Sequence, residues 1–252
     1  MSILNYTWEV FLLFKNMLFK KILKRILFTI LALILVLIST AAFAYLRYLY
    51  PTGEIMPGLY AIRNDRNGMP MVNFFIMQAD EKYIAFDAGS DGVQTQYALQ
   101  RLGISVDDVI AVFVTHSHWD HVGSLQLFNN AVIYSWDAEF RYANDSAFAL
   151  SGFEHPNLPH RKLYDGQVVE LHGRSIQSIY TPGHTSDSVS FLVDGRYLFV
   201  GDLLINLRLA RYDEELQRIN IEKMLRMEGV QYVFTGHFGL FRDVRFFRWW
   251  WL

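Results

Sequence analysis

The seven residues from 115 to 121 carry the most informative pattern in this sequence, and they read Thr115-His116-Ser117-His118-Trp119-Asp120-His121. They follow the apolar run Val109–Val114, whose β-branched residues favour a buried strand. A chain turns where a strand ends, so His116 and His118 can converge on one point while Asp120 and His121 face a second point nearby. Imidazole and carboxylate groups are suitable ligands for zinc and similar divalent metals. The stretch therefore predicts a metal site at the end of a strand.

Three more candidate ligands lie downstream, and each one follows a predicted strand through a turn that contains glycine. They are His184 after Ser175–Tyr180, Asp202 after Tyr197–Val200 and His237 after Tyr232–Thr235. One such residue on its own is as often a turn former as a ligand. Together with the first cluster they predict a larger site on the rim of a sheet, because strands and their short loops present side chains there.

The order and spacing of these seven residues resemble those of the metallo-β-lactamase superfamily. The resemblance covers about residues 53–240, and it implies an α/β fold, an αββα sandwich with a dinuclear site on one edge. It further implies that His116, His118 and His184 bind one metal ion. Asp120, His121 and His237 would bind the other ion, and Asp202 would bridge both. Two Zn²⁺ ions are the expected cofactors, with Mn²⁺ or iron as alternatives.

Within this superfamily, the presence of Asp202 looks like the glyoxalase II, lactonase and phosphodiesterase branches, and the motif from Thr115 to His121 is most similar to that of glyoxalase II. Only 15 residues follow His237, whereas glyoxalase II has a C-terminal helical region that binds glutathione. The resemblance implies a hydrolase that uses a metal-bridging hydroxide on a small ester, thioester or lactone. Asp120 would also act in catalysis by passing a proton.

Three alternatives remain open from the sequence. The first is a sulfur oxidoreductase of the same fold with a single iron ion, held by His116, His118 and His184 or by His116, His184 and Asp202. The second is a phosphodiesterase. The third is a non-catalytic binding domain tethered to a membrane. Relatives of the first and third kinds often lack part of the ligand set, which is complete here.

The segment from Ile26 to Leu46 contains 21 residues without a charge. About 20 apolar residues in a helix cross the hydrocarbon core of a bilayer, so we predict a transmembrane helix that contacts membrane lipid. Five basic residues precede this segment and only Arg47 closely follows it, which predicts a cytoplasmic N-terminus and a catalytic domain on the outer (periplasmic or extracellular) side. A cleaved signal peptide is the alternative, because Ala42-Phe43-Ala44 resembles a cleavage site.

The remainder of the chain is acidic, with 17 basic and 24 acidic side chains in residues 51–252. Such a domain has no basic face to follow phosphates, so we expect a small-molecule substrate and no nucleic acid. The chain has no cysteine, which excludes disulfides and thiolate ligands. The predicted segments are residues 1–25 (basic and cytoplasmic), 26–46 (transmembrane), 51–240 (catalytic) and 241–252 (an aromatic and arginine-rich tail).

Four further residues were considered for supporting roles. Asp87 ends another predicted strand, and it is either a partner of a metal-binding histidine or a turn former. His155 and His160 are interpreted as exposed loop residues, and His172, before Gly173, as a hairpin residue.

Helical patterns occur at Val93–Leu102, Val122–Phe128 and Leu216–Met227.

Overall fold

The computed structural model describes residues 19–40, 49–137, 140, 157–205, 213–237 and 240–241. The chain forms two compact units, residues 1–47 and residues 48–252. In the first unit, helix α1 spans Phe19–Thr40 and has a mean hydropathy of 2.5 over its most apolar window. Its side chains are exposed on all sides. Its length and composition suit a membrane span, and they equally suit a signal sequence near an N-terminus. Residues 41–46 of the predicted span lie outside the described residues.

The first sheet of the second unit has seven strands in chain order. Strands β1 to β4 pair antiparallel, and β4 to β7 pair parallel. Helix α2 (Gly92–Leu102) follows β4, and the short helix α3 (Trp119–Val122) follows β5. The strand bounds are β1 Gly53–Met56, β2 Leu59–Arg66, β3 Met69–Ala79, β4 Lys82–Phe86, β5 Val109–Phe113, β6 Val132–Ser135 and β7 His160–Lys162.

The second sheet has six strands in the order β13-β12-β11-β10-β9-β8. Helix α4 (Glu214–Leu225) lies between β11 and β12 in the sequence, and these two strands pair parallel. The bounds are β8 Val168–Leu171, β9 Arg174–Tyr180, β10 Val189–Val193, β11 Tyr197–Phe199, β12 Tyr232–Phe234 and β13 Leu240–Phe241. The predicted turn at Asp194-Gly195 is confirmed, since both residues have positive φ angles between β10 and β11.

Three apolar clusters join the layers. Phe86 of the first sheet and Phe199 of the second stack face to face, with ring centroids 3.9 Å apart, in the cluster between the sheets. A second cluster packs α2 on the outer face of the first sheet, and a third packs α4 on the outer face of the second. The predicted αββα sandwich is therefore confirmed, because two sheets pack on each other and each is covered by helix.

The predicted helix over Val122–Phe128 is wrong. The structure has α3, which ends at Val122, and then a short 3-10 turn at Leu125–Leu127. The α-helical ladder stops because the Ser124 amide donates a hydrogen bond to the Gly89 carbonyl (3.2 Å) and not to a carbonyl one turn earlier. This bond ties the segment just after the metal-site motif to the loop after β4.

His160 also differs from its prediction. It is half-buried at the start of β7, where its Nε2 lies 2.7 Å from Ser135 Oγ, so it is not an exposed loop residue. His155 lies outside the described residues, as does the tail beyond Phe241. His172 has a φ of 46° and forms the β8–β9 turn with Gly173, as predicted.

Candidate metal centre

The first group of candidate ligands forms where three chain segments leave the ends of strands. His116 and His118 follow β5, and His184 follows β9. His118 Nδ1 lies 3.0 Å from His116 Nε2 and 2.9 Å from His184 Nε2. Three imidazole nitrogens therefore face one point, which is the arrangement that a divalent ion requires of three histidine ligands.

The second group combines the start of α3 with the loop after β12. Asp120 and His121 lie in the single turn of α3, and His237 follows β12. Asp120 Oδ2 is 3.2 Å from His237 Nε2 and 3.9 Å from His121 Nε2. As in the first group, the donor atoms of these residues all lie within 4.8 Å of one another, close enough to hold a metal ion.

Asp202 lies between the two groups. Its Oδ1 is 3.2 Å from His121 Nε2, and its Oδ2 is 3.2 Å from His237 Nε2 and 3.4 Å from His184 Nε2. Only 5% of its side chain is exposed. Among the described residues, the structure therefore brings all seven predicted ligands together, with one carboxylate in contact with both groups.

The histidine tautomers are set by partners on the outer side of each ring. His121 Nδ1 lies 2.8 Å from Asp87 Oδ2, His237 Nδ1 lies 2.6 Å from the Met71 carbonyl and His116 Nδ1 lies 3.1 Å from Thr115 Oγ1. A carboxylate or carbonyl oxygen can only accept, so in the neutral rings of His121 and His237 the proton is on Nδ1. Their Nε2 atoms then present lone pairs toward the centre. Outer partners of this kind orient metal-binding histidines.

Asp87 supports both parts of the motif at once. Besides His121, it accepts hydrogen bonds from the Thr115 amide (2.7 Å) and from the Thr115 hydroxyl (2.8 Å). Thr115 Oγ1 donates to Asp87, so it accepts from His116 Nδ1. Asp87 itself has a φ of 65°, a left-handed conformation that Asp and Asn tolerate better than most residues. The structure thus favours the partner role over the turn-former role.

Three buried atoms of the centre form no hydrogen bond in the described part of the chain: His121 Nε2, Asp202 Oδ1 and His184 Nδ1. Of these, His121 Nε2 and Asp202 Oδ1 face each other at 3.2 Å. A buried polar atom without a partner is destabilising. A lone pair on nitrogen and a carboxylate oxygen that point at the same space are chemically suited to a cation there, so the residues present fit a divalent metal ion.

Glycine allows the ligands to approach this closely at Gly236. A Cβ atom on Gly236 would lie 2.6 Å from His121 Cε1 and 2.7 Å from Asp202 Oδ1. Gly201, just before Asp202, has a φ of 52°, and a Cβ there would lie 2.3 Å from Thr115 Oγ1. Both glycines, which precede His237 and Asp202, are therefore required by packing, and Gly201 also by its left-handed turn.

The electrostatics of the two groups differ. In the first group, burial lowers the pKa of His184 to about 4, and burial together with the charge of His121 holds the pKa of His116 well below its ordinary value. In the second group, burial works to lower the pKa of His237, but Asp202 and Asp120 raise it to about 10. The carboxylates thus make the second group strongly attractive to positive charge, whether a proton or a metal ion.

Asp187 is a residue of this region that the sequence did not single out. It is buried, its Oδ2 accepts from the Ser117 amide (3.0 Å) and its Oδ1 accepts from the Thr185 hydroxyl (2.5 Å). Burial raises its pKa, although the two hydrogen bonds oppose this. Its position three residues after His184 is the only sequence signal, and its partner Ser117 is 70 residues away.

Comparison with known proteins agrees with this geometry. Residues 68–237 match the family described as the metallo-beta-lactamase superfamily. The chain is 29% identical over 144 residues to a hydroxyacylglutathione hydrolase from Hahella chejuensis, covering 54% of this chain and 50% of that one. It is 29% identical over 152 residues to an N-acyl homoserine lactonase from a Bacillus species, covering 55% and 60%. The chain therefore spans about half the length of these curated relatives.

Among solved structures, a metallo-beta-lactamase family protein from Thermus thermophilus superposes with a TM-score of 0.61. It covers 76% of this chain at 24% identity, and 77% of its own length is matched. This likeness bears on the fold alone.

Proposed function

Since this chain belongs to the metallo-β-lactamase superfamily, we propose that it is a dinuclear metallohydrolase that cleaves small esters, thioesters or lactones. The observation that carries the proposal is the position of Asp202, whose two oxygens contact histidines of both ligand groups. A carboxylate in this position neutralises part of the charge of two neighbouring cations. Zn²⁺ is the expected ion, because the donor set combines imidazole nitrogens with carboxylate oxygens.

The proposed ligand sets follow the two groups in the structure. His116, His118 and His184 would hold one ion, Asp120, His121 and His237 would hold the other, and Asp202 would contact both. The chemistry that such ions supply is Lewis acidity, which lowers the pKa of water from about 15.7 to about 7 and polarises a carbonyl oxygen. No serine or cysteine nucleophile is then required.

Asp120 is the residue proposed to handle a proton. Its side chain is 13% exposed, more than that of Asp202, so it lies nearer to entering substrate. Burial acts to raise the pKa of Asp120, but the charge of His121 and the hydrogen bond from His237 lower it to about 2. The carboxylate is therefore ionised at neutral pH, so it could accept a proton from the attacking water and pass it to the leaving group.

The choice of acyl substrates rests on the relatives. One is named for the hydrolysis of an acyl-glutathione, which is a thioester, and another for the hydrolysis of a lactone. Both reactions begin with attack on an activated carbonyl carbon, which the proposed site serves in the same way. The acidic balance of residues 51–252 does not favour a polyphosphate or nucleic-acid substrate.

We also propose that residues 26–46 anchor the chain in a membrane with the N-terminus in the cytoplasm and the second unit on the outer side. The support is the exposed apolar surface of α1 and the five basic residues before the predicted span. A reporter fused after Leu252 that is active only outside the cytoplasm should give signal. Signal from a reporter active only in the cytoplasm would reverse the orientation.

The function is tested on the full-length protein in detergent. We expect about two zinc ions per chain, and hydrolysis of ester, thioester and lactone probes that a chelator stops and Zn²⁺ restores. A single iron ion would instead support the oxidoreductase alternative, and no metal would support the binding domain. A phosphodiester turned over orders of magnitude faster than every acyl probe would contradict the substrate class while leaving the metal centre intact.

A further inference from the structure

Asp187 joins the two chain segments that carry the first group of histidines. Ser117, whose amide donates to Asp187 Oδ2 (3.0 Å), lies between His116 and His118 in the sequence. Thr185, whose hydroxyl donates to Asp187 Oδ1 (2.5 Å), follows His184. One buried carboxylate therefore connects Ser117, which lies between two of these ligands, with Thr185, which follows the third.

These two hydrogen bonds of Asp187 go only to segments of the first group. In the second group, Asp120 and His121 lie on α3 and His237 Nδ1 lies 2.6 Å from the Met71 carbonyl, so none of these three described residues is bonded directly to Asp187. A second link, from the Val189 amide to the Thr115 carbonyl (2.7 Å), runs along the backbone and survives any change of the Asp187 side chain. Loss of the carboxylate would thus loosen the spacing of His118 and His184 without separating the sheets.

A turn alone does not explain a carboxylate at this position. Thr185 already forms a local turn with Ser188, through the Thr185 amide to Ser188 Oγ (3.1 Å) and the Ser188 amide to the Thr185 carbonyl (3.5 Å). A buried carboxylate is unfavourable unless hydrogen bonds or nearby positive charge compensate it. Asp187 has one partner in each segment, and an adjacent cation would add the compensating charge.

We propose that Asp187 is a positioning residue that sets the metal affinity of the group formed by His116, His118 and His184 without binding the ion itself. The inference rests on the proposed ligand sets, and it concerns binding of the ion, not turnover. Outer residues that orient metal ligands typically change metal affinity about 10–100-fold when removed.

The test separates the two groups by mutation. In full-length protein, His237→Ala leaves only the first group complete, and His118→Ala leaves only the second. The dissociation constant for Zn²⁺ is measured in each background by competition with a chromophoric chelator. Adding Asp187→Ala should weaken binding about 10–100-fold in the His237→Ala background and leave it within about twofold in the His118→Ala background.

Two further variants keep the test decisive. Asp187→Asn retains an oxygen for the Ser117 amide, so it should weaken zinc binding by the first group less than Asp187→Ala does. If the alanine protein fails to fold, the asparagine variant replaces it in the test. Asp165→Ala is the matched control, because Asp165 also accepts a backbone amide, that of Tyr180 (2.7 Å), but is exposed and has no bond to Ser117 or Thr185. This control should not change zinc binding.

The outcomes separate this inference from the proposed function. Equal weakening in both backgrounds, or a fall in the melting temperature of the metal-free protein with no selective loss, would show a merely structural role and overturn the inference. Wild-type protein that binds no metal would overturn both. Wild-type protein that binds two ions but hydrolyses no acyl probe would overturn the proposed function alone.

Discussion

Asp202 Oδ1 lies 3.2 Å from His121 Nε2, and neither atom forms a hydrogen bond in the described part of the chain. The other oxygen of Asp202 is 3.2 Å from His237 Nε2 and 3.4 Å from His184 Nε2. This carboxylate is therefore the residue on which the pairing of two ions depends most directly, and it gives the first prediction.

Asp202→Ala should reduce the metal content from about two ions to about one, and it should lower kcat by orders of magnitude. Without the carboxylate, two dications would face each other with less negative charge between them, so the ion bound by Asp120, His121 and His237 should be lost. Metal per chain is measured by elemental analysis of folded protein. His172→Asn serves as the control, because His172 lies in the β8–β9 turn with a left-handed backbone that asparagine tolerates. Two retained ions with near-normal turnover would contradict the dinuclear assignment.

Asp87→Asn should weaken zinc binding by the second group about 10–100-fold and lower the free energy of unfolding by about 1–3 kcal/mol. Asparagine keeps only one of the two acceptor oxygens, so its buried NH2 group faces a donor, and the carboxylate no longer fixes the tautomer of His121. Asparagine tolerates the left-handed backbone at this position, whereas alanine would add strain.

The matched control for this prediction is Asp80→Asn. Asp80 also has a positive φ, 51°, but its side chain is exposed on the surface. The Asp80→Asn variant should bind zinc with the affinity of the wild type. Unchanged zinc affinity in Asp87→Asn would show that Asp87 is held only by its turn.

Zinc binding to the two groups should differ in proton release. Near pH 7 the metal-free protein carries protons on His237, whose pKa is raised to about 10, and on His121, whose pKa is raised well above its ordinary value. Both protons must leave before those nitrogens bind a metal, so filling the second group should release about two protons. The first group, where burial lowers the pKa of His116 and of His184, should release almost none.

The zinc affinities of the two groups should therefore depend on pH in different ways. A raised pKa in the metal-free state means that protons compete with the ion below that pKa, so affinity for the second ion should rise with pH up to about 10. Affinity for the first ion should change little above pH 6.5, because the pKa of each of its three histidines lies below that ordinary value. Calorimetric titrations in buffers of different ionisation enthalpy measure the protons released. Equal proton release from the two groups would contradict this electrostatic asymmetry.

Much of the centre could be predicted from the sequence because its ligands lie directly after strands, where local spacing reports spatial position. His116 and His118 are two residues apart, and His184, Asp202 and His237 each follow a strand end. Asp187 could not be predicted, because its role depends on a hydrogen bond to Ser117 that forms only when the two sheets pack.

Tertiary contacts and short sequence patterns account for the predictions that were wrong. The Val122–Phe128 stretch has a helical pattern, but a tertiary hydrogen bond from Ser124 to Gly89 ends the helix. His160 looked like a loop residue because a strand of three residues, β7, leaves too short a pattern to recognise. The first two strands, β1 and β2, were not predicted either. β2 begins with four apolar or aromatic residues (59–62) and ends with four polar ones (63–66), so it shows no alternation that would mark a strand.

The last prediction concerns where the second unit begins. The sequence places every candidate ligand after Pro51, which predicts that a fragment starting there is soluble and active. In the structure, however, Leu49 is 4% exposed, and Asn73 binds both backbone groups of Tyr50, accepting from its amide (2.8 Å) and donating to its carbonyl (3.1 Å). The backbone amide of Asn73 donates in turn to the carbonyl of Gly236 (2.7 Å), the residue before His237.

A fragment that starts at Tyr48 should therefore be soluble without detergent and hold two metal ions, whereas a fragment that starts at Pro51 should be less stable by about 2.5–6 kcal/mol. The estimate combines the burial of one leucine, about 1.5–3 kcal/mol, with two hydrogen bonds of about 0.5–1.5 kcal/mol each. Urea unfolding of the two fragments measures the difference, and zinc content shows whether the loss reaches His237. Equal stability would mean that Leu49 and Tyr50 add nothing to the fold. An insoluble fragment from Tyr48 would contradict the view that residues 48–252 are self-sufficient, and the anchor would then have to be retained in every assay.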